Sequence, residues 1–313
     1  MIEFRNVLGA LNRKYMKTEE PNKDAEGLHE KSTKEILKII NAEDKKIATA
    51  VEKEISSIKS AVDLFTRTIK NGGSVYYVGA GTSGRLGVLD ASEIPPTFGL
   101  SEDRVVGLIA GGKDAVTSAK EGREDDKEAG KKLVRERNIG SNDMVIGISA
   151  SGSTPFVLGC LEEARTNGSE TAGIANNSGA PISEFSKITI TAETGPEIIA
   201  GSTRMKAGTA QKMILNMIST TAMVKLGKVY DNFMVDLVAS NEKLKDRAKR
   251  IIKSLTGADE ERIKAVLKES DYAVKPAVLA IKKELTVAEA REKLTACDGY
   301  LGRALGEGPG DRQ

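Results

Sequence analysis

The chain has 313 residues, 39% hydrophobic and 29% charged, which are the proportions of a soluble globular protein with one substantial core and room for a smaller unit. Lysine plus arginine total 47 against 45 for aspartate plus glutamate, so no excess of either sign draws the chain to nucleic acid or to an anionic membrane. Any phosphate it binds must be held locally. Cys160 and Cys297 are far apart and form no CxxC pair, which argues against a disulfide framework or a thiolate metal site and for packing roles. The single histidine, His29, lies in the polar stretch AEGLHEKST and is expected to be exposed. Histidine-based metal sites and Ser-His-Asp triads are thereby disfavoured, and acid and base work falls to carboxylates, lysine or tyrosine. No metal and no cofactor are expected. No apolar run approaches a membrane span, and the opening MIEFRNVLGALNRKYMKTEE lacks the long apolar region and small-residue cleavage site of a secretion leader. A reducing cytoplasm is the expected compartment.

From Ser32 to Lys70, apolar residues recur at spacings of three and four without proline or glycine, predicting a helix pair or one long broken helix ended by Asn71-Gly72-Gly73. SVYYVGAG then reads as a buried strand entering a glycine turn. RVVGLIAGG, DMVIGISASGS and TAGIANNSG repeat the plan, and KITITAETG is a fifth strand candidate. Short apolar strands alternating with amphipathic helices predict a parallel sheet covered on both faces. In such sheets ligands sit beyond the carboxyl ends of the strands, which is where the glycine, serine and threonine clusters fall. The segment STRMKAGTAQK opens a long helix reaching about Leu226, and another helix is expected from about Leu237 to Leu255. Beyond Thr256 three short helices, introduced by Thr, Asp or Pro signals, form a small appendage, and GEGPGDRQ is expected to fray. The expected division is residues 1–256 as the main domain with its N-terminal helices, and 257–313 as a small helical unit.

The GAGTSG segment matches GxGxxG after a strand, which would suggest a dinucleotide site. That reading is disfavoured, because the second strand ends in glycines rather than in an acid for the ribose, and Pro95-Pro96 are expected to cut short the helix after the loop. The loop offers Thr82 and Ser83 where a helix N-terminus presents N–H groups to an anion. A second hydroxyl-rich turn carries Ser149, Ser151, Ser153 and Thr154 around Gly152. Each hydroxyl alone could be a helix cap. Two such turns at neighbouring strand ends point to a shared phosphate held by neutral donors.

VGAGTSGRLGVLDASEIPPTFG at 78–99 resembles the signature of N-acetylmuramic acid 6-phosphate etherases, a branch of the sugar isomerase (SIS) fold. The resemblance continues through GLIAGG, EGREDD, GISASGSTPFV and PEIIAGSTRMKAGTAQKMILNMISTTAMVKLGKVYDNFMVDLV at 196–238, and into the helical tail. It implies a three-layer αβα sandwich on a mainly parallel five-stranded sheet plus a small C-terminal helical unit, a homodimer with substrate sites near the subunit interface, and a phosphorylated amino-sugar substrate. Where the family pattern reads SECPP and EGAED, this chain has Ile94 after Glu93 and Arg123 before Glu124; neither departure removes a carboxylate.

The implied reaction cleaves the lactyl ether in cell-wall sugar recycling. Ring opening to the aldehyde makes the C2 proton acidic, a base removes it, an acid protonates the departing lactyl oxygen, and water adds back. Such chemistry needs two positioned proton-transfer groups and no redox centre. The resemblance assigns Glu93 as the acid and Glu124 as the base at C2, with an apolar surround of Glu93 suited to an acid. Without it, Glu124 among Glu121, Asp125 and Asp126 would read as a charged helix face. Glu197, Ser202 and Thr203 stand at the end of the last strand, where related enzymes touch the sugar, and ring opening is a plausible task for Glu197. Arg204 and Lys206 could contact substrate but more often such residues are surface charges. The alternatives are an aldose-ketose isomerase, which needs no leaving-group acid, and a noncatalytic phosphosugar-sensing regulator; no DNA-binding motif is appended.

Overall fold

The computed structural model describes residues 16–118 and 122–307. Residues 1–15, which hold most of the segment without a leader pattern, Glu121 of EGREDD and the tail end 308–313 lie outside them. The amphipathic stretch before the first strand is two helices, α1 (Thr33–Glu52) and α2 (Ile55–Lys70). α1 starts at a capping box in which the Ser32 N–H donates to Glu35 Oε2 at 2.9 Å and the Glu35 N–H donates to Ser32 Oγ at 3.4 Å, so two orphan amides are satisfied reciprocally. α2 buries Ile58, Val62, Phe65 and Ile69 on one stripe and packs on the sheet, each large side chain contributing about 1.5–3 kcal/mol of burial.

Five strands, β1 (Val75–Gly79), β2 (Val105–Ile109), β3 (Met144–Ile148), β4 (Glu170–Ala175) and β5 (Ile188–Thr191), form an all-parallel sheet in the order β2-β1-β3-β4-β5. β3 is buried at every residue, as a central strand covered on both faces must be. One face carries Val78, Leu108 and Val145, which share a core with α5 (Lys127–Glu136), α6 (Pro155–Thr166) and α7 (Ile182–Phe185). Cys160 belongs to this core. Its thiol donates to the Gly130 carbonyl at 3.3 Å, and burial pushes it up to about 12, so it packs rather than reacts.

The chain leaves β1, forms β2 on one side, and returns to form β3 on the other. This reversal opens a crevice at the carboxyl ends of β1 and β3. The remaining helices up to residue 225 are α3 (Gly81–Phe98), the short α4 (Asp114–Thr117) and α8 (Lys206–Lys225). Pro95 and Pro96 do not shorten α3 as expected: it runs 18 residues and ends two residues past Pro96, because missing amides and ring clashes matter least where the helix is about to stop.

Two compact units emerge, one of residues 1–92 and 103–219, the other of 93–102 and 220–313. The second contains the small hairpin β6 (Val229–Tyr230) and β7 (Phe233–Met234), α9 (Glu242–Thr256), α10 (Glu260–Glu269), α11 (Val274–Lys283), α12 (Val287–Ala296) and α13 (Leu301–Leu305). The division expected at residue 256 falls inside this unit. α9 buries Ala248, Ile251 and Ile252 in the same core as Leu267, Val278 and Leu294, and composition does not reveal which core an amphipathic helix joins. α9 begins at Glu242 rather than near Leu237 because the Asn241 side chain accepts from the Leu244 N–H at 3.0 Å and caps it there. Among the described residues no helix is long and apolar enough to cross a membrane.

Candidate active site

A cavity of about 650 Å³ opens beyond the carboxyl ends of β1 and β3, walled by the two hydroxyl-rich turns. In the first, α3 starts at Gly81, so Thr82 and Ser83 occupy its first turn, where amides lack intrahelical partners and the helix dipole favours an anion. The flanking glycines have a packing reason: a Cβ on Gly79 would meet Gly84 N at 2.6 Å, and one on Gly84 would meet Gly79 O at 2.8 Å. The GxGxxG spacing therefore brings helix and strand together and needs no dinucleotide to explain it.

The second turn is an interlinked set of hydroxyls. Ser149 Oγ accepts from the Gly152 N–H at 3.0 Å and lies 2.8 Å from Thr154 Oγ1 and 3.2 Å from Ser151 Oγ. Ser151 Oγ accepts from the Ser153 N–H at 3.2 Å and from the Ser153 hydroxyl at 3.0 Å. Four hydroxyl protons share three hydroxyl contacts, which leaves one O–H to donate to a guest. Pro155 occupies the first position of α6, a site where its missing N–H costs nothing, and the N-terminus of that helix also faces the cavity.

Glu124 and Asp125 line the same cavity. Their segment is anchored at both ends: the Glu124 carbonyl accepts from the Phe156 N–H at 2.9 Å, and the Asp126 carboxylate accepts from the Ala129 N–H at 2.8 Å, capping α5. The run of four acids around Glu124 thus divides by position into a cap and two cavity residues, with Glu121 outside the described chain. Thr203 completes the wall.

Several of the residues singled out in the sequence do not line this cavity. Glu93 is exposed and stands ten residues beyond Ser83 on α3, a rise of about 15 Å. Ser202 is half-buried, with its N–H on the Ile199 carbonyl at 2.9 Å. Glu197 is fully buried, and its two carboxylate oxygens accept from the Lys206 and Ala207 N–H groups, each at 2.9 Å. That is a cap on α8, whose first amides would otherwise be orphaned, and it leaves Glu197 unsuited to the ring-opening task expected of it.

Lys206 is likewise not a substrate contact. It is 1% exposed and pairs with buried Glu43 of α1 at 2.6 Å. Burial pushes the Glu43 carboxyl up, but hydrogen bonds from Lys206, Lys46 and Asn22 outweigh this and hold it down at about 2. Arg204 and His29 are exposed, the latter 3.6 Å from Glu30. Asp90, one turn before Glu93, is buried and accepts from Asn216 at 2.6 Å and Ser219 at 3.1 Å, joining α3 to α8. Burial raises its carboxyl above the usual range despite those bonds.

Sequence reading missed two contributors. Met16, Thr18 and Glu19, from a strap ahead of α1, line the cavity; the strap has only 3-10 turns and no periodicity to mark it. Gln211 of α8 accepts from the Ser83 hydroxyl at 2.8 Å, a contact invisible in the motif because the partners are 128 residues apart.

Family models agree with this architecture. The SIS domain family matches residues 128–221, the glucokinase regulatory protein N-terminal SIS domain matches 57–165, and the C-terminal lid domain of glucokinase regulatory protein matches 231–298. Among solved structures, phosphoheptose isomerase GmhA from Neisseria gonorrhoeae is 16% identical with a TM-score of 0.47, covering 61% of this chain and 99% of that one. Among curated proteins, N-acetylmuramic acid 6-phosphate etherase of Clostridium botulinum (strain Okra / Type B1) is 51% identical over 290 residues, 93% of this chain and 96% of its own. That of Clostridium acetobutylicum is 50% identical over 288 residues, 92% of this chain and 95% of its own. With half of its residues identical to such relatives across nearly the whole length, the chain belongs to the N-acetylmuramic acid 6-phosphate etherase family.

Proposed function

We propose that the chain cleaves the lactyl ether of N-acetylmuramic acid 6-phosphate by elimination and water addition, yielding N-acetylglucosamine 6-phosphate and D-lactate. As a member of its family it is a carbon–oxygen lyase. The observation that carries the reading at the level of residues is one cavity in which two turns of neutral phosphate donors share a wall with Glu124. The phosphate is held by the Thr82–Ser83 turn through its amides and the Thr82 hydroxyl, and by the Ser149–Thr154 turn through its amides and its free O–H, at two helix N-termini. Glu124 removes the C2 proton of the open-chain aldehyde, electrons move to the C1 carbonyl, and the C3–O bond breaks as Glu93 protonates the leaving lactyl oxygen. Water then adds at C3, and the proton returns to C2. Each positioned acid or base contributes about 10²–10⁴-fold.

Glu93 is exposed, away from its own chain's turns along α3, and Leu89, four residues earlier, is an exposed leucine at 51%. An apolar side chain and an acid on one helical face suit contact with a second copy, and a homodimer in which Glu93 serves the partner's cavity fits both. Two cysteines with no disulfide partner suit a reducing cytoplasm. The decisive experiment incubates the protein with N-acetylmuramic acid 6-phosphate and assays D-lactate. Release of lactate with formation of the product sugar phosphate is expected; its absence at every substrate concentration would overturn the reading.

A further inference from the structure

Elimination at C3 requires an acidic C2 proton, and a closed pyranose does not have one. A proton-transfer group must first open the ring. We propose that Glu19 is that group, the base that takes the proton of the anomeric hydroxyl. The inference rests on the etherase reading and adds a residue to it.

The strap holds Glu19 at the cavity from both sides. Thr18, 1% exposed, donates its N–H to Asn177 Oδ1 at 3.4 Å, accepts at its hydroxyl from Asn177 Nδ2 at 3.1 Å, and accepts at its carbonyl from the Gly201 N–H at 3.0 Å. The same Asn177 Nδ2 donates to the Ala150 carbonyl at 2.9 Å, which ties the strap to the second phosphate turn. Lys17 pairs with Glu193 at 2.8 Å. On the other side, Asn22 donates to Glu43 Oε2 at 3.1 Å and to the Pro196 carbonyl at 3.2 Å. Two fixed points three residues either side of Glu19 or closer leave its backbone little freedom, as a catalytic group requires.

Its carboxylate is nevertheless uncommitted: among the described residues no hydrogen bond or ion pair holds it. Gly201 makes the space it occupies, since a Cβ there would lie 2.7 Å from Glu19 Oε2. The other carboxylates are otherwise engaged. Glu197 caps α8 with both oxygens, Asp125 already has a partner, and Glu124 is needed at C2. In the step itself the Glu19 carboxylate takes the C1 hydroxyl proton, the C1–O5 bond breaks as the C1 carbonyl forms, and O5 takes a proton from water. Glu19 returns its proton to solvent, and nothing is oxidised or reduced.

Ring opening can be read apart from elimination. Glu124→Gln cannot remove the C2 proton, so any ring opening by that variant shows only as faster interconversion of the substrate's two anomers, measured by exchange NMR. The parent must first release lactate; if it does not, the etherase reading fails and this proposal with it. With an active parent, Glu19→Gln is expected to lower lactate release by about 10²-fold or more, with an unchanged melting curve, because the side chain is exposed and unbonded. The anomer acceleration by Glu124→Gln is expected to return to the solvent rate in Glu124→Gln/Glu19→Gln. Unimpaired lactate release from Glu19→Gln overturns the proposal. So does an anomer rate that is the same with and without Glu19 in the Glu124→Gln background, which would leave Glu19 a role in another step while the etherase reading stands.

Discussion

The Ser83 hydroxyl donates to Gln211 Oε1 at 2.8 Å, and the direction of that bond is dictated from the far end of a chain of contacts. The Ala192 carbonyl can only accept, so Asn176 presents Nδ2 to it at 2.9 Å; Asn176 Oδ1 then accepts from Gln211 Nε2 at 3.0 Å, which leaves Oε1 for Ser83. Gln211 therefore orients the Ser83 side chain at the edge of the phosphate turn. Because the single Ser83 hydroxyl proton is committed to Gln211, the bond serves the phosphate by holding the first turn of α3, whose amides meet the anion; Gln211→Met and Ser83→Ala are each expected to weaken substrate binding by about 1 kcal/mol. The double variant should be no worse than the weaker single one, since both act through one hydroxyl. Additive losses would show two independent roles. Ser153→Ala, in the other turn, should add to either, and KM values for the set decide between these outcomes.

The two proposed proton-transfer residues separate by chemical step. Glu93→Gln is expected to lose lactate release yet still exchange the C2 hydrogen with deuterated solvent, because the base at Glu124 remains. Glu124→Gln should lose both. NMR of C2 deuterium uptake checks it: exchange kept in Glu124→Gln but absent in Glu93→Gln would reverse the roles.

If Glu93 acts in the partner's cavity, two dead variants should complement. Mixing Glu93→Gln with Glu124→Gln and allowing subunits to exchange creates heterodimers with one intact site of two. Random pairing then restores about a quarter of parental lactate release. A mixture as inactive as its components would place Glu93 with its own chain's cavity.

Behind the site, Lys206→Met takes from Glu43 its buried cation, leaving Lys46 and Asn22 as its partners, and is expected to cost about 3 kcal/mol in a urea melt. Glu43→Leu added to it should recover part of the loss by removing a buried charge that is then only partly compensated. The same carboxyl predicts a pH response. Its folded value, about 2, lies below the ordinary 4.5, so the unfolded chain takes up the proton first. The contribution is complete above about pH 4.5 and is lost as pH falls from there toward 2. Glu43→Gln should flatten stability across that window; an unchanged slope would show that Glu43 is not the titrating group.

Much of this protein is local in the chain. Strand and helix alternation, the stop at Asn71-Gly72-Gly73 and the cap at Ser32 follow from periodicity and short-range hydrogen bonding, and they suffice for a parallel α/β sheet with hydroxyl turns at its carboxyl end. Thr82, Ser83 and the Ser149–Thr154 turn were legible because glycine-rich strand ends are both the motif and the place where amides lack partners. Other facts depend on which segments meet after folding. Nothing around Glu197 distinguishes a helix cap from a sugar contact until α8 begins nine residues later, and nothing around Glu19 marks a strap until Asn177 and Gly201 close on Thr18. Lys206 reads as a surface charge from its own segment, but Glu43, 163 residues away, makes it an interior one. Local pattern reports backbone preference and burial period; the partner of a carboxylate or an amine is decided by packing between distant elements, and only tertiary structure supplies that.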